Sequence, residues 1–519
     1  MSLVGRVPRL KVLAAAVLAL VVVGGWRWAA HCLRAERGAR TIVSGRPLVL
    51  SAPPAGAAEA RSSVAKPNVI ICVLDAARAD HTGCYGYPRD TTPNLDKLAR
   101  DSLVFERHYA EYPQTKASTA SLLTSRHADN HLAVEMREVG RDNFFIEQGL
   151  KQAGFSTAYF SSNAWASPSW GFAEGFDAVY SFAAGRERGQ GGRRPHGAPE
   201  MHRISREPEA LLSAFSRWLD SNGKDSFFAY LHFLPPHHPY NAPEEMRRLF
   251  AGSRPPRYQR GRIPFRGVRN VGGPAEHEHL GPDVVNKYDA NLRYADWAVG
   301  ELVAELGERG LLDKTLLIIT SDHGETLGEH GYKWHPACPF EEALHIPLFI
   351  RFPGGRPAGR VSALTQSLDL LPTIYDLLRL PVPTKLVEGR SLMPLITGER
   401  TAVHDYLFSR TGGDPACYVV RDLRYSLLLF EGGKLQGERR LRALYDLKAD
   451  PWQRRNIIGR EAERADRMAD AFRRFALTQR TRPLQFVEAN AKPEELPAGE
   501  QVKPSEDMKR ELKALGYLK

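Results

Sequence analysis

The chain has 519 residues, 43% of them hydrophobic, which is ample for a large core and for more than one domain. Its formal net charge of +11 comes mainly from Arg spread along the chain, without aromatics interleaving the basic runs, and this excludes a nucleic-acid module. The five Cys (Cys32, Cys72, Cys84, Cys338 and Cys417) are odd in number and follow no metal or disulfide spacing. Cys72 sits in an apolar run and reads as a small hydrophobe; one disulfide is open in an oxidising compartment, with no pair indicated.

The N-terminus reads as a targeting signal. Arg6, Arg9 and Lys11 form a cytoplasmic n-region, residues 1–11, and an apolar run follows from Val12 to Trp26. That run is short against the roughly 20 residues of a bilayer span. Arg27 can snorkel and Trp26 and Trp28 suit an interface, so residues 12–30 are expected to form a single-pass anchor in the cytoplasmic membrane. A cleaved signal peptide is the alternative. Either places the rest of the chain outside the cytoplasm, on the periplasmic side. Residues 31–65, rich in Ala, Arg, Ser and Pro, read as a linker.

From Lys66 the texture changes. Val69–Leu74 is a short β-branched apolar run, as a buried parallel strand requires. Pro93–Ser102 and Asp142–Gly154 read as helices, and Phe155–Phe160 as a strand. Glu207–Ser221 reads as a helix and Phe227–Phe233 as a second buried strand. Pro282–Arg309 is a long helix with Leu292, Ala295, Val299 and Leu302 at helical spacing, and Thr315–Thr320 a third apolar strand. Alternating strands and helices predict an α/β fold, a mostly parallel sheet sandwiched by helices. Two basic stretches, Arg186–Arg206 and Arg254–Arg269, read as solvated loops or as a rim attracting an anionic substrate. After about residue 400 the pattern becomes short strands (Tyr418–Arg421, Tyr425–Phe430) and a helix, Glu461–Thr478, which predicts a smaller C-terminal α+β domain. The division expected is 66–400 for a catalytic domain and 401–519 for a C-terminal one.

The chemistry gathers at strand ends, where open α/β sheets place their sites. Val69–Leu74 runs into Asp75, Thr315–Thr320 into Ser321, Asp322 and His323, and Phe227–Phe233 ends before His237 and His238. One carboxylate at a strand end reads as a helix cap; three strands delivering such groups at one edge read as a site.

These segments carry a resemblance. Lys66–Tyr87 (KPNVIICVLDAARADHTGCYGY) with Thr92–Leu98 (TPNLDKL) resembles the opening of the sulfatase family, in the alkaline phosphatase superfamily. Thr115–Ser125 (TKASTASLLTS) falls at the family's nucleophile motif, and Ser321–Gly331 (SDHGETLGEHG) with Phe340–Pro353 resembles its distal metal segment. Ser367–Leu377, Gly389–Leu395, Ala443–Pro451 and Leu512–Leu518 are similar to later family segments, so the likeness runs over 66–519. The resemblance implies an alkaline-phosphatase-like fold. It implies that Asp75, Thr115, Asp322 and His323 bind one divalent metal ion, with Thr115 also the nucleophile. It implies that His237 and His335 contact the transferring group and the leaving group. Such a mixed oxygen and nitrogen set suits Zn²⁺ or Mn²⁺ better than Ca²⁺, which takes an all-oxygen cage.

The departures narrow the chemistry. The family's formylglycine forms from Cys or Ser, and Thr115 cannot become that aldehyde; Ala117 and Thr119 replace the Pro and Arg of the maturation signal. Ala76 stands where a second Asp usually follows the first, and Ser161–Trp165 (SSNAW) replaces a Gly-Lys-x-His segment. Thr is the nucleophile type of the superfamily's phosphoethanolamine and phosphoglycerol transferases. Among lesser candidates, Arg78 and Asp80 read as a salt bridge or cap and Lys116 as an exposed lysine. His81, His127 and His131 read as structural, and Asn163 is a candidate pocket residue. His232 on its apolar strand reads as a satisfied core histidine, and His238 as the lesser of its pair. The expected function is metal-dependent hydrolysis of sulfate or phosphate esters, on an anionic small-molecule, glycan or lipid ester. A phospho-alcohol transferase and a non-catalytic binding protein are the alternatives.

Overall fold

The structure is a computed structural model describing residues 66–134, 138–140, 143–183, 199–255, 282–331, 333–334, 339–412, 416–431 and 442–479. The expected anchor and linker, residues 1–65, and His335 lie outside the described residues. Among those described, no helix is long and apolar enough to cross a membrane.

The elements that carry the argument, in chain order, are β1 (Asn68–Leu74), α1 (Pro93–Leu98), β2 (Leu103–Tyr109), α2 (Thr115–Thr124), α3 (Ile146–Gln152) and β3 (Ser156–Ser161). There follow β4 (Ala178–Ser181), β5 (Glu200–Arg203), α4 (Pro208–Asn222), β6 (Phe227–Phe233), α5 (Pro282–Glu308) and β7 (Thr315–Thr320). Next come β8 (His345–Ile346), β9 (Leu348–Arg351), β10 (Gly359–Gln366) and α6 (Leu370–Leu377). The last are β11 (Leu407–Arg410), β12 (Ala416–Arg421), β13 (Tyr425–Glu431), β14 (Arg442–Asp446) and α7 (Ala462–Thr478).

Six strands in the order β7-β1-β6-β3-β4-β5 pair parallel, with β1 between β7 and β6. Beyond β7, β9 joins antiparallel to both β7 and β2, while β10 pairs parallel with β2. The expected mostly parallel sheet with helices on both faces is the fold observed. Every residue of β1, β6 and β7 is buried, so none shows the alternation of a half-exposed strand.

Alternation appears instead in which core each residue joins. Val69, Ile71, Val73, Phe228 and Tyr230 face one cluster, filled from α2, α3 and α6 by Leu122, Ile146, Leu150 and Ile374. Ile70, Cys72, Leu74, Ala229, Leu231 and Phe233 face the other, filled from α1, α4 and α5 by Leu95, Leu211, Phe215, Leu292 and Val299.

Two expected helices are shorter than their sequence suggested. The α1 helix ends at Leu98 and continues as a 3₁₀ turn over Ala99–Asp101. The α3 helix begins only at Ile146, because Phe145 is extended and serves as its N-cap.

After β10 the chain builds an antiparallel sheet, β11-β12-β13-β14, the smaller C-terminal unit expected. Here the period-2 split is plain. Cys417, Val419, Leu428 and Phe430 pack toward Tyr109, Phe340 and Leu364 of the main unit, while Tyr418, Val420, Leu427 and Leu429 pack under Met468 and Phe472 of α7. Cys72 and Cys84 are free thiols.

Candidate active site

Parallel pairing explains why the site exists. Val73 of β1 lies beside Thr320 of β7 and His232 of β6, and His232 lies beside Ser161 of β3. Within four residues of their ends, four neighbouring strands therefore release Asp75, Asp322 and His323, His237 and Asn163 at a single edge.

The turn after β1 is tight. Ala76 adopts φ 63°, the left-handed region that costs a residue with a Cβ roughly 1–2 kcal/mol. It is held there by Ala76 N–H donating to Asp322 Oδ1 (3.1 Å) and by Tyr288 O–H donating to Ala76 O (2.8 Å). Ser321 Oγ donates to Leu74 O (2.6 Å) and accepts from Ala77 N–H (2.8 Å), so the Ser-Asp-His segment fixes the β1 turn as well as offering its own side chains. At Gly324 any Cβ would run into the Glu342 carbonyl, which is why this segment closes on Gly.

The predicted residues that are described do converge. Thr115 is the first residue of α2, at the helix end that the aligned peptide dipoles make a partial positive charge. Its Oγ1 lies 3.2 Å from His323 Nε2. His323 Nε2 in turn lies 3.6 Å from Asp75 Oδ1 and 3.6 Å from Asp322 Oδ2. Ser118 Oγ, one turn along α2, donates to the Asp322 carbonyl and ties the helix to the strand end. The His237 ring lies 6.1 Å from that of His323, and its Nδ1 bonds the His238 carbonyl. Asp75, Thr115, Asp322 and His323 are wholly buried and His237 almost so.

Two residues join that the sequence had ranked low. Asn163 Nδ2 donates to Asp75 Oδ2. His232, read as a core histidine, places Nε2 3.1 Å from Asp75 Oδ2 and 3.8 Å from Asp322 Oδ2. With the two carboxylates it forms a group whose candidate ligand atoms all lie within 4.8 Å of one another. His232 is buried with both ring nitrogens partnered, as the core reading has it, but one of those partners is Asp75, so the ring also stands against the carboxylate pair.

The other candidates are structural partners. Arg78 is buried between Asp80 and Glu329, His81 pairs with Asp289, and His131 bonds Ser121. Lys116, expected to be exposed, is buried with its ammonium 4.2 Å from the centre of the Trp170 ring.

Electrostatics set the two carboxylates apart. Burial alone would raise Asp75, but the facing imidazoles of His237, His232 and His323 hold it well below the usual carboxylate range. Burial and the Asp75 charge push Asp322 up. Burial lowers His237, against the pull of Asp75. Asp75 Oδ1 and Asp322 Oδ2 are buried and have no hydrogen-bond partner among the described residues. Two orphaned carboxylate oxygens flanked by imidazole nitrogen are a strongly unfavourable arrangement without a cation, and this donor set fits a divalent metal ion.

Comparison with known proteins agrees with this geometry. The Sulfatase family profile matches residues 67–380, and the C-terminal profile of N-sulphoglucosamine sulphohydrolase matches residues 328–475. The chain belongs to the sulfatase family. It is a sulfuric ester hydrolase of the alkaline phosphatase superfamily. An arylsulfatase of Clostridium perfringens is 24% identical over 459 residues, covering 76% of this chain and 91% of that protein. An N-acetylglucosamine-6-O-sulfatase of Bacteroides thetaiotaomicron is 32% identical over 203 residues, covering 37% of this chain and 35% of that protein. The phosphonate monoester hydrolase of Agrobacterium radiobacter shares the fold with a TM-score of 0.63 at 23% identity, covering 81% of this chain and 97% of that one. These relatives are hydrolases, which favours neither the transferase nor the non-catalytic alternative.

Proposed function

We propose that this chain hydrolyses sulfate esters, and phosphate esters of the same shape, with Thr115 as the nucleophile. One observation carries the reading: Thr115 Oγ1, His323 Nε2 and the two orphaned carboxylate oxygens of Asp75 and Asp322 meet at the positive end of α2. Asp75, Thr115, Asp322 and His323 would hold one divalent ion, Zn²⁺ or Mn²⁺ in preference to Ca²⁺. Bound there, the ion would offset the charge of the ester oxygens and favour the ionised form of a nearby hydroxyl.

Thr115 has no route to an aldehyde, so its oxygen itself attacks, and the α2 N-terminus favours the ionised hydroxyl. Thr115 Oγ1 bonds to sulfur and the sulfur–oxygen bond to the alcohol breaks. Protonated His237 gives its proton to the leaving oxygen. Water then attacks from the side the alcohol left, neutral His237 takes the water's proton, and the threonyl ester is cleaved to sulfate. Burial makes His237 a ready donor when protonated and a base once neutral. His335 is proposed as a second imidazole at the transferring group. The glucosamine sulfatase named above supports a sulfated sugar as substrate class. We place the catalytic unit outside the cytoplasm, tethered through residues 12–30; deletion of residues 1–30 then yields a folded, soluble enzyme.

The test is turnover by purified protein loaded with Zn²⁺, Mn²⁺ or Ca²⁺ on sulfate monoesters, phosphate monoesters and phosphodiesters. Mass spectrometry of protein quenched during turnover accompanies it. Hydrolysis of a sulfate ester with a sulfate adduct on the Thr115 peptide is expected. Turnover with the adduct on another peptide, or with none while Thr115→Ala stays active, overturns the reading.

A further inference from the structure

The two oxygens of Asp75 are treated unequally. Oδ1 has no hydrogen-bond partner among the described residues and faces His323 Nε2 at 3.6 Å. Oδ2 accepts from Asn163 Nδ2 and sits 3.1 Å from His232 Nε2. A carboxylate free to turn offers an ion either oxygen or both. One whose second oxygen is saturated by two donors offers only the first.

Behind His232 stands Tyr230, two residues earlier on the same face of β6, with its hydroxyl 2.9 Å from His232 Nδ1. If Tyr230 O–H donates to Nδ1, the ring proton belongs on Nε2, where it points at Asp75 Oδ2. The chain of donors then runs Tyr230 to His232 to Asp75, and every member is fully buried. The alternative, Nε2 bare toward the ion, would make His232 itself a ligand and leave Asp75 Oδ2 with Asn163 as its one donor.

We propose that His232 is a positioning residue of the metal centre: with Tyr230 behind it and Asn163 beside it, it locks the Asp75 carboxylate so that Oδ1 alone is aimed at the ion. The proposal rests on the reading that Asp75 and Asp322 hold a divalent cation. It gives a role to the substitution at position 76. With Ala76 in place of a second carboxylate, Asp75 is the one acidic side chain that the β1 turn contributes, and its orientation carries correspondingly more of the site.

Outer partners of metal ligands typically contribute about 10–100-fold in metal affinity. The test is Zn²⁺ affinity of the purified full chain, by competition with a chromophoric chelator, together with the visible spectrum of the Co²⁺-loaded protein. His232→Leu removes the donor and should weaken binding by about 10–100-fold. His232→Gln restores an N–H near the Nε2 position and should recover affinity to within roughly threefold, with the Co²⁺ bands unmoved, because the ligands are unchanged. Tyr230→Phe should fall between the two.

A leucine variant that binds like the wild type overturns the proposal. So does a glutamine variant that stays weak with shifted Co²⁺ bands, because the ring nitrogen is then itself a ligand. If the leucine variant does not fold, the glutamine and phenylalanine variants decide by the same readouts. A wild-type chain that holds no ion overturns the metal reading itself, and the two failures are thereby told apart.

Discussion

The carboxyl edge of the central sheet and the C-terminal sheet handle polar groups in opposite ways. In β12 and β13 the buried residues are apolar except Arg421 and Ser426 at the strand ends, and charge there is paired, Arg421 with Glu341 and the neighbouring Arg424 with Asp446. At the ends of β1, β6 and β7 the chain buries two carboxylates and three imidazoles together. Packing alone never demands the second arrangement, since burying ionisable groups costs several kcal/mol each unless something compensates. The C-terminal sheet shows what stability requires of this chain, and the central edge shows what it gives up for chemistry.

The sharpest way to break that contrast is at the nucleophile. Thr115→Ala should lower kcat by about 10³-fold or more, on the order of 4 kcal/mol in barrier, while leaving the melting temperature nearly unchanged. Thr115→Ser should keep a measurable fraction, because the hydroxyl remains. Steady-state rates beside a thermal melt read both, and an alanine variant with full turnover would place the nucleophile elsewhere.

The C-terminal sheet should respond the other way round. Phe472 of α7 is buried and packs its ring 4.8 Å from that of Tyr418. Phe472→Ala should cost about 3–5 kcal/mol of stability, read by denaturant titration. Metal affinity should stay within roughly twofold, since additivity holds between distant sites. A comparable loss of affinity would show that the two regions are coupled.

How much of this was legible beforehand follows the same divide. The strands β1, β6 and β7 and the acids at their ends were plain from short apolar runs stopping at Asp75 and Asp322. The position of His232 was not. Phe227–Phe233 is apolar on both faces, so no periodicity tells which way residue 232 points; only its register beside Val73 and Ser161 does. The α2 helix carries no apolar stripe, because all of Thr115–Thr124 is buried and its small polar residues pack on every side. The β2 strand was missed because Glu106, Arg107 and His108 interrupt its apolar run, although β9 and β10 both pair with it. His335 and the N-terminal segment remain readings of sequence.

A smaller effect is expected where one ligand charge is removed without changing shape. In Asp322→Asn the Oδ1 that accepts the Ala76 and His323 N–H groups persists, so the β1 turn should hold. The charge facing His323 is lost, and Zn²⁺ affinity should drop by about 100-fold, or 2.7 kcal/mol. Equilibrium dialysis measures it, and an unchanged affinity would remove Asp322 from the ligand set.

The last prediction concerns a buried carboxylate away from the sheet edge. Glu147, in the first turn of α3, is 1% exposed, and its Oε2 has no hydrogen-bond partner among the described residues. Burial pushes its pKa up to about 8, with only its own backbone N–H and the more distant Lys151 opposing. Asp75 is just as buried yet held low, so the donors around a carboxylate, rather than its burial, decide its charge. Below the unfolded value of 4.5 both states of Glu147 are protonated and it contributes no pH dependence. Between there and about 8 the unfolded chain ionises while the folded one keeps its proton, so stability falls as pH rises. At about 1.4 kcal/mol per unit the ceiling is roughly 5 kcal/mol, and local relaxation should leave about 1–3 kcal/mol. Glu147→Gln carries no proton to lose. It should match the wild type near pH 5 and exceed it by that margin near pH 8.5, measured by urea denaturation at several pH values. Parallel stability curves for the two proteins would mean that Glu147 is ionised in the folded state, and that burial of a carboxylate in this fold costs less than its surroundings imply.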